Sequence, residues 1–151
     1  MMDVLKFLKG IRSERLEIIR LKEERDTLYY SLLPSGIRYD LDKVQTSPQD
    51  KMPAVAGRLY EIQEIIDRRI DKLSADVALA HKVIDDMPTP EYRELLLLRY
   101  LTGGRHPLSW LTISDKMGYS PDHIRGKLHG KAIAEARVIW EREHTRTQNS
   151  E

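Results

Sequence analysis

Residues 109–131 read SWLTISDKMGYSPDHIRGKLHGK, and their caps and turn residues specify the local structure of the C-terminal half of the chain. Ser109 is a good N-cap for a helix of about eight residues, which Gly118 can close because glycine readily adopts a positive φ. Ser120 and Pro121 are a second start signal, since proline suits the first turn of a helix. The stretch therefore predicts two helices joined by a glycine turn, which is the helix-turn-helix arrangement.

The side chains of this motif divide into an inward and an outward set. Apolar residues at a spacing of four should face the core, namely Ile113 with Met117 and Ile124 with Leu128. The outward set combines hydrogen-bond donors with one small residue that permits close approach to a duplex, as a major-groove helix requires. We therefore expect the DNA-binding residues to be Ser120, His123, Arg125, Gly126, Lys127 and Lys131.

The local charge is compatible with a polyanion partner. The whole chain has a formal net charge of only +1, but from Arg99 to Lys131 six Lys/Arg face two Asp/Glu, a local excess of +4. Two alternatives stay open at this point. The charges could form a solvated helical face, and the motif could be a helical packing unit that binds no nucleic acid.

A breaker cluster, Met87-Pro88-Thr89-Pro90, precedes this motif and predicts a domain boundary. Thr89 can cap a third helix over residues 91–101, and the last helix should run from Ser120 to about Glu143. We expect one small core that is separable at the breaker, so that a fragment beginning near Thr89 folds weakly and keeps some DNA affinity. Its members should be Leu95, Leu98, Ile113, Met117, Ile124 and Leu128.

The N-terminal half contains two long apolar stripes. Residues 3–33 carry a heptad pattern, and a second stripe follows Pro53 with spacings of three, four and seven. Residues 34–52 between them should form a loop. The simplest way to bury both stripes is a long antiparallel, coiled-coil-like hairpin, and any part left exposed favours self-association, with a dimer as the preferred state.

The sequence thus predicts an all-α protein in three parts. Residues 1–88 form the helical hairpin, an interaction and oligomerisation module; residues 89–144 form the three-helix DNA-binding domain; and residues 145–151 form a flexible tail. The absence of cysteine and of any apolar run of the ~18 residues that a membrane span needs argues for a cytoplasmic protein that enters no membrane. We expect no metal site, since His123 and His129 lie on different helical faces. We also expect no enzymatic activity and no cofactor, since the sequence has no glycine-rich phosphate loop, nucleophile elbow or metal motif.

Several segments of the C-terminal half resemble region 4 of bacterial sigma factors, which reads the −35 promoter element. They are YRELLLLRY at residues 92–100, Ser109-Trp110, Gly118-Tyr119-Ser120, and LHGKAI at residues 128–133. Over residues 5–140 the chain resembles a family of small phage and prophage proteins similar to the ArpU and RinA types of late-transcription regulators. Val44-Gln45-Thr46-Ser47 and Asp50-Lys51-Met52 contribute to that resemblance.

The resemblance implies a phage-type transcription regulator in the bacterial host cytoplasm. Double-stranded promoter DNA would be its main partner, with RNA polymerase as a further one. No segment is similar to sigma region 2, which melts the −10 element. Two other classes of function remain open: a small terminase-like subunit for DNA packaging, and a helical adaptor that binds no DNA.

Overall fold

A computed structural model describes residues 2–33, 48–104 and 106–150 of the chain. Within these ranges the protein is mostly helical, at 85% helix, and has no strand. The all-α class predicted from the sequence is therefore confirmed. None of the helices in the described ranges is both long and apolar enough to cross a lipid bilayer.

The described residues form six α-helical segments and two π-helical turns. In chain order they are α1 (Val4–Ser31), α2 (Pro48–Asp85), α3 (Pro90–Leu96), a π turn (Leu97–Leu101), α4 (Trp110–Met117), α5 (Pro121–His123), a π turn (Ile124–Leu128) and α6 (His129–Asn149). The backbone stays in the right-handed helical region at Ile124 and Leu128. We therefore call the continuous run from α5 to α6 the C-terminal helix.

Two helix boundaries differ from the sequence-based predictions. Helix α2 begins at Pro48 and has Pro53 inside it, because a proline near a helix start deprives only one preceding carbonyl of its donor. Residues 48–52 of the expected loop are thus helical, and residues 34–47 lie outside the described ranges. Helix α6 continues to Asn149, so most of the expected tail is helical. Hydroxyl bonds from Thr145 to Glu141 O (2.9 Å) and from Thr147 to Glu143 O (3.0 Å) run along this last part.

The chain divides into two compact units. The large unit comprises the residues up to Leu16 together with those from Leu73 onward, and the small unit comprises residues 17–72. Both long helices contribute one end to each unit. The domain boundary predicted between residues 88 and 89 lies inside the large unit.

The core of the large unit is wider than the sequence predicted. Four of the six expected members are buried, and Leu98 and Met117 pack against them. The same cluster includes the beginning of α1 and the end of α2, through Val4, Phe7, Leu8, Ile11, Ala80, Val83, Ile84 and Met87. The expectation of one small core made only of residues after the breaker is therefore wrong, because the heptad stripe of α1 and the end of α2 belong to the same buried cluster.

A polar contact joins the breaker to the C-terminal helix. The Thr89 hydroxyl donates to Glu135 Oε2 at 2.7 Å, and the Thr89 backbone N–H donates to Glu135 Oε1 at 3.0 Å. The sequence predicts that the Thr89 side chain caps α3. The structure shows no such capping hydrogen bond, because the hydroxyl is bonded to Glu135 instead. Further along the same helix, Arg137 pairs with Asp3 at 2.8 Å, which fixes the start of α1.

The small unit has a much smaller core. Leu21 of α1 is buried with Ile62 and Ile66 of α2, and Leu28, Ile65 and Ile70 pack against them. Its surface carries ion pairs such as Glu24 with Arg58 at 3.2 Å.

Candidate nucleic-acid interface

The turn between α4 and the C-terminal helix has the geometry that the sequence predicted. Gly118 ends α4 with φ +79° and ψ +19°, a left-handed conformation that favours glycine. Its backbone N–H donates to Ser114 O at 2.9 Å, and the N–H of Tyr119 donates to the same oxygen at 3.2 Å. These two bonds fix the direction in which the chain leaves α4.

Both helices of this pair begin at a serine cap. The Ser109 Oγ accepts from the Thr112 N–H at 3.1 Å, and the Ser120 Oγ accepts from the His123 N–H at 3.2 Å. Pro121 occupies the first turn, as predicted. Ser120, which we expect among the DNA-binding residues, is exposed and serves the fold as the cap of the C-terminal helix.

The inward face of the pair is buried. Ile113 and Ile124 are fully enclosed, and Leu128 is nearly so. Ser114 is 2% exposed, and its hydroxyl donates to Leu111 O at 2.6 Å, which satisfies a polar group in the core. The small side chain thus lies where α4 packs against its neighbours.

The outward face carries the predicted donors. Arg125, Lys127 and Lys131 are exposed, and His123 is half-buried with its ring 5.2 Å from that of Tyr119. A Cβ added to Gly126 would meet nothing within 4 Å, so the backbone is open to solvent there. Arg125, Gly126 and Lys127 are consecutive in the π turn, a rare conformation that occurs frequently at functional sites.

A polar cluster lies beside this face. The guanidinium of Arg99 stacks over the Trp110 ring at 4.1 Å and donates to Leu108 O at 2.8 Å, while its buried Nε has no hydrogen-bond partner among the described residues. The Tyr100 hydroxyl lies 2.6 Å from His129 Nε2, and the His129 ring meets the edge of Trp110 at 5.0 Å. The π turn Leu97–Leu101 presents both Arg99 and Tyr100 to this cluster.

Several positive charges act on the side chains of this cluster. Burial lowers the pKa of Arg99, and the charges of Arg12 and Arg125 lower it further. Burial also lowers the pKa of His129, to which Arg99 and Lys9 contribute. The lowered pKa favours the neutral imidazole, which can accept a hydrogen bond from the Tyr100 hydroxyl.

Sequence reasoning missed the cations that α1 brings to this region. Lys9, Arg12 and Arg15 recur every third residue, so they share one side of the helix. Arg15 donates to Leu101 O at 2.9 Å, at the end of the π turn that presents Arg99. The spacing was visible in the sequence, but nothing there indicated that α1 packs against the C-terminal helices.

Neither a metal site nor a known relative identifies a function for the part of the chain that the structure describes. Within the described ranges no group of three or more His, Asp or Glu residues could hold a metal ion. No known protein family matches the chain, and neither a curated protein nor a solved structure is significantly similar to it.

Proposed function

We propose that the protein is a DNA-binding regulator in which α4 and the C-terminal helix form a helix-turn-helix. The C-terminal helix would enter the major groove with Arg125 and Lys127, and Gly126 would allow the duplex to approach the backbone. One observation carries this proposal. The exposed donors Arg125 and Lys127 lie on either side of Gly126 in a serine-capped helix whose opposite face, at Ile124 and Leu128, is buried in the core.

We further propose that the N-terminal half is a long antiparallel hairpin that mediates interaction. In the small unit, Arg58 pairs with Glu24 and Arg25 donates to Gln63 at 3.1 Å, as expected for two helices running side by side. Tyr29, Tyr30 and Tyr60 are exposed there, and tyrosine is enriched in protein interfaces. A second copy of the chain is the partner we favour. The phage context and contact with RNA polymerase rest on the sequence resemblance alone.

The salt dependence of binding tests the proposal. The logarithm of the binding constant for a labelled duplex of about 30 base pairs should fall linearly with the logarithm of the salt concentration, with a slope near −0.9 per phosphate contact. Lys127→Gln should weaken all sequences alike and reduce the slope by about 0.9. Arg125→Lys keeps the charge but loses the planar fork, so it should cost ~1–3 kcal/mol on the preferred site and relax specificity at one base pair.

Matched controls separate this reading from its alternatives. Arg142→Gln removes the same charge from an exposed position of α6 and should leave affinity almost unchanged. A wild-type chain that shows no affinity for duplex at low salt would indicate an adaptor without DNA binding. A ring of many subunits in light scattering would favour the DNA-packaging alternative, whereas a dimer would support the regulator.

A further inference from the structure

We propose that the first helix is part of the DNA interface and that Lys9 and Arg12 contact the phosphate backbone beside the C-terminal helix. This inference rests on the proposed DNA binding and adds a second element to it. The occupant is the sugar-phosphate backbone of the same duplex whose bases face Arg125. The side chains of α1 would supply affinity and register, while base discrimination stays with the C-terminal helix.

Cations from α1 and from the C-terminal helix lie close to the same side chains. Arg12 and Arg125 both lie close enough to Arg99 for their charges to act on it, and Lys9 acts on His129 in the same way. Lys9 is exposed and Arg12 is half-buried. Arg15, on the same side of α1, donates to Leu101 O at 2.9 Å, two residues from Arg99. The first helix and the C-terminal helix therefore both bring cations to the neighbourhood of Arg99.

Buried side chains and polar contacts fix this part of α1 to the rest of the large unit. Leu8 directly precedes Lys9 and Ile11 directly precedes Arg12, and both apolar side chains are 1% exposed in the core of the large unit. Arg15 anchors the next turn through Leu101 O, and Asp3 pairs with Arg137 at the start of the helix. Lys9 and Arg12 are thus presented from a rigid element, so little backbone freedom is lost when they bind.

Bringing these positive charges together costs free energy in the unbound protein. Like charges in a partly desolvated place repel one another, and burial makes that repulsion stronger. The buried Nε of Arg99 has no hydrogen-bond partner among the described residues, which adds to the cost. A row of phosphates would neutralise the cations and release counterions, which is the main source of affinity in protein–DNA complexes.

The geometry also suits the way such motifs dock. In helix-turn-helix complexes a neighbouring helix crosses the backbone while the recognition helix lies in the groove. Arg125 and His129 are four residues apart on the C-terminal helix and share a side, and α1 contributes Arg12 and Lys9 to the surroundings of Arg99 and His129. A duplex seated on Arg125 would therefore have α1 at the edge of the groove.

The test is a double variant, Lys9→Gln with Arg12→Gln, measured on the same duplex of about 30 base pairs across a salt series. If each side chain meets one phosphate, the slope should shrink by about 1.8 and affinity should fall roughly 60-fold at 0.1 M salt, equally for all sequences. Lys9→Arg with Arg12→Lys keeps both charges and should restore the slope. The control, Lys22→Gln with Arg142→Gln, removes two exposed charges elsewhere and should change neither slope nor affinity by a comparable amount.

The melting temperature of the free protein shows whether the double variant is correctly folded. Since the glutamine variant relieves repulsion around Arg99, the free protein should melt at or above the wild-type temperature. Wild-type and double variant with equal affinity and equal slope would overturn this inference and leave the proposed DNA binding intact. A wild-type chain that binds no duplex would overturn both. Loss of affinity in the control variant equal to that in the double variant would also overturn the assignment to α1.

Discussion

The two compact units are built on the same pair of long helices, yet their interiors differ greatly. Of the described residues, nineteen are buried in the cluster of the large unit and three in that of the small unit. In the large unit the ends of α1 and α2 are enclosed by the helices from α3 onward. In the small unit the buried residues come from α1 and α2 alone, and Tyr60 is 67% exposed.

This difference shows that an apolar stripe determines which face is buried but not how firmly. The stripe of α1 continues through both units, from Val4 and Ile11 to Ile18 and Leu21, and all four residues are buried. Free energy of unfolding follows the apolar surface that is enclosed, so the large unit should be much the more stable. Its stability would also hold the side chains of the proposed DNA interface in place.

The largest effect is expected from cutting the chain at the breaker. A fragment comprising residues 89–151 retains α3 to α6 but loses the buried ends of α1 and α2, including Leu8 and Ile84. A domain of about 60 residues is already marginal, and this one would also expose much of its core, so we expect no cooperative folding. Circular dichroism during heating measures this.

Complementation sharpens that experiment. A chain comprising residues 73–151, mixed with a peptide of residues 2–16, contains both pieces of the large unit. The mixture should gain helicity and show a melting transition that depends on peptide concentration. A fragment from Thr89 that melts cooperatively by itself would restore the separable core that the sequence had predicted.

The next largest effect comes from single core truncations, one in each unit. Leu8→Ala should cost ~2–5 kcal/mol of unfolding free energy, because the side chain is enclosed and its neighbours can relax only in part. Ile66→Ala removes an equally buried side chain from the small unit. Its cost should be lower, since the smaller cluster can close around the gap.

Native-state hydrogen exchange distinguishes the two variants by location. Leu8→Ala should speed exchange throughout α3 to α6, whereas Ile66→Ala should speed it within residues 17–72 and leave the C-terminal helix protected. Faster exchange of the C-terminal helix in Ile66→Ala would mean that the chain unfolds as one cooperative body. The comparison between the units would then be wrong.

Much of the fold was readable from local sequence rules. Ser109, Gly118, Ser120 and Pro121 specify caps and a turn through their own backbone chemistry, and each occupies the predicted place. Helix boundaries near Pro53 and Asn149 were less predictable, because proline is tolerated near a helix start and a polar helix end can persist without a strong stop signal.

Non-local packing was the part that the sequence could not supply. The stripe of α1 indicates a buried face but not its partner, so the shared core of the large unit was not predicted. The influence of Arg12 on Arg99 and of Lys9 on His129 was not predicted either. The contacts of Arg99 with Trp110 and Leu108 were not predictable for the same reason. No local sequence rule predicts that an arginine after a run of leucines will stack over Trp110.

A smaller effect should appear when the pH is lowered, and it should be confined to the large unit. The folded pKa of His129 lies below its ordinary value of 6.5, chiefly because of burial, so the unfolded chain binds this proton more readily. Stability is therefore fully present above about pH 6.5 and is lost as pH falls from there through the folded pKa, with a slope of at most ~1.4 kcal/mol per pH unit.

Denaturant titrations between about pH 7 and pH 5 measure this slope, and that window lies above the ordinary range of carboxyl groups. His129→Gln cannot take up the proton and should flatten the slope, even if losing the contacts with Tyr100 and Trp110 lowers the stability at pH 7. A variant that keeps the wild-type slope would assign the titration to another group.

The smallest effect is expected from the surface ion pairs of the small unit, although they are its most visible polar contacts. Arg58 and Glu24 lie 3.2 Å apart, but their side chains are 48% and 37% exposed, so water and salt screen the attraction. A double-mutant cycle of Arg58→Gln and Glu24→Gln should give a coupling below ~1 kcal/mol that declines further in high salt.

A coupling that matches the cost of Ile66→Ala would mean that this unit is stabilised by charge rather than by its apolar cluster. The small unit should then lose stability steeply with added salt while the large unit does not, and that contrast would reverse the order of forces inferred from the buried residues.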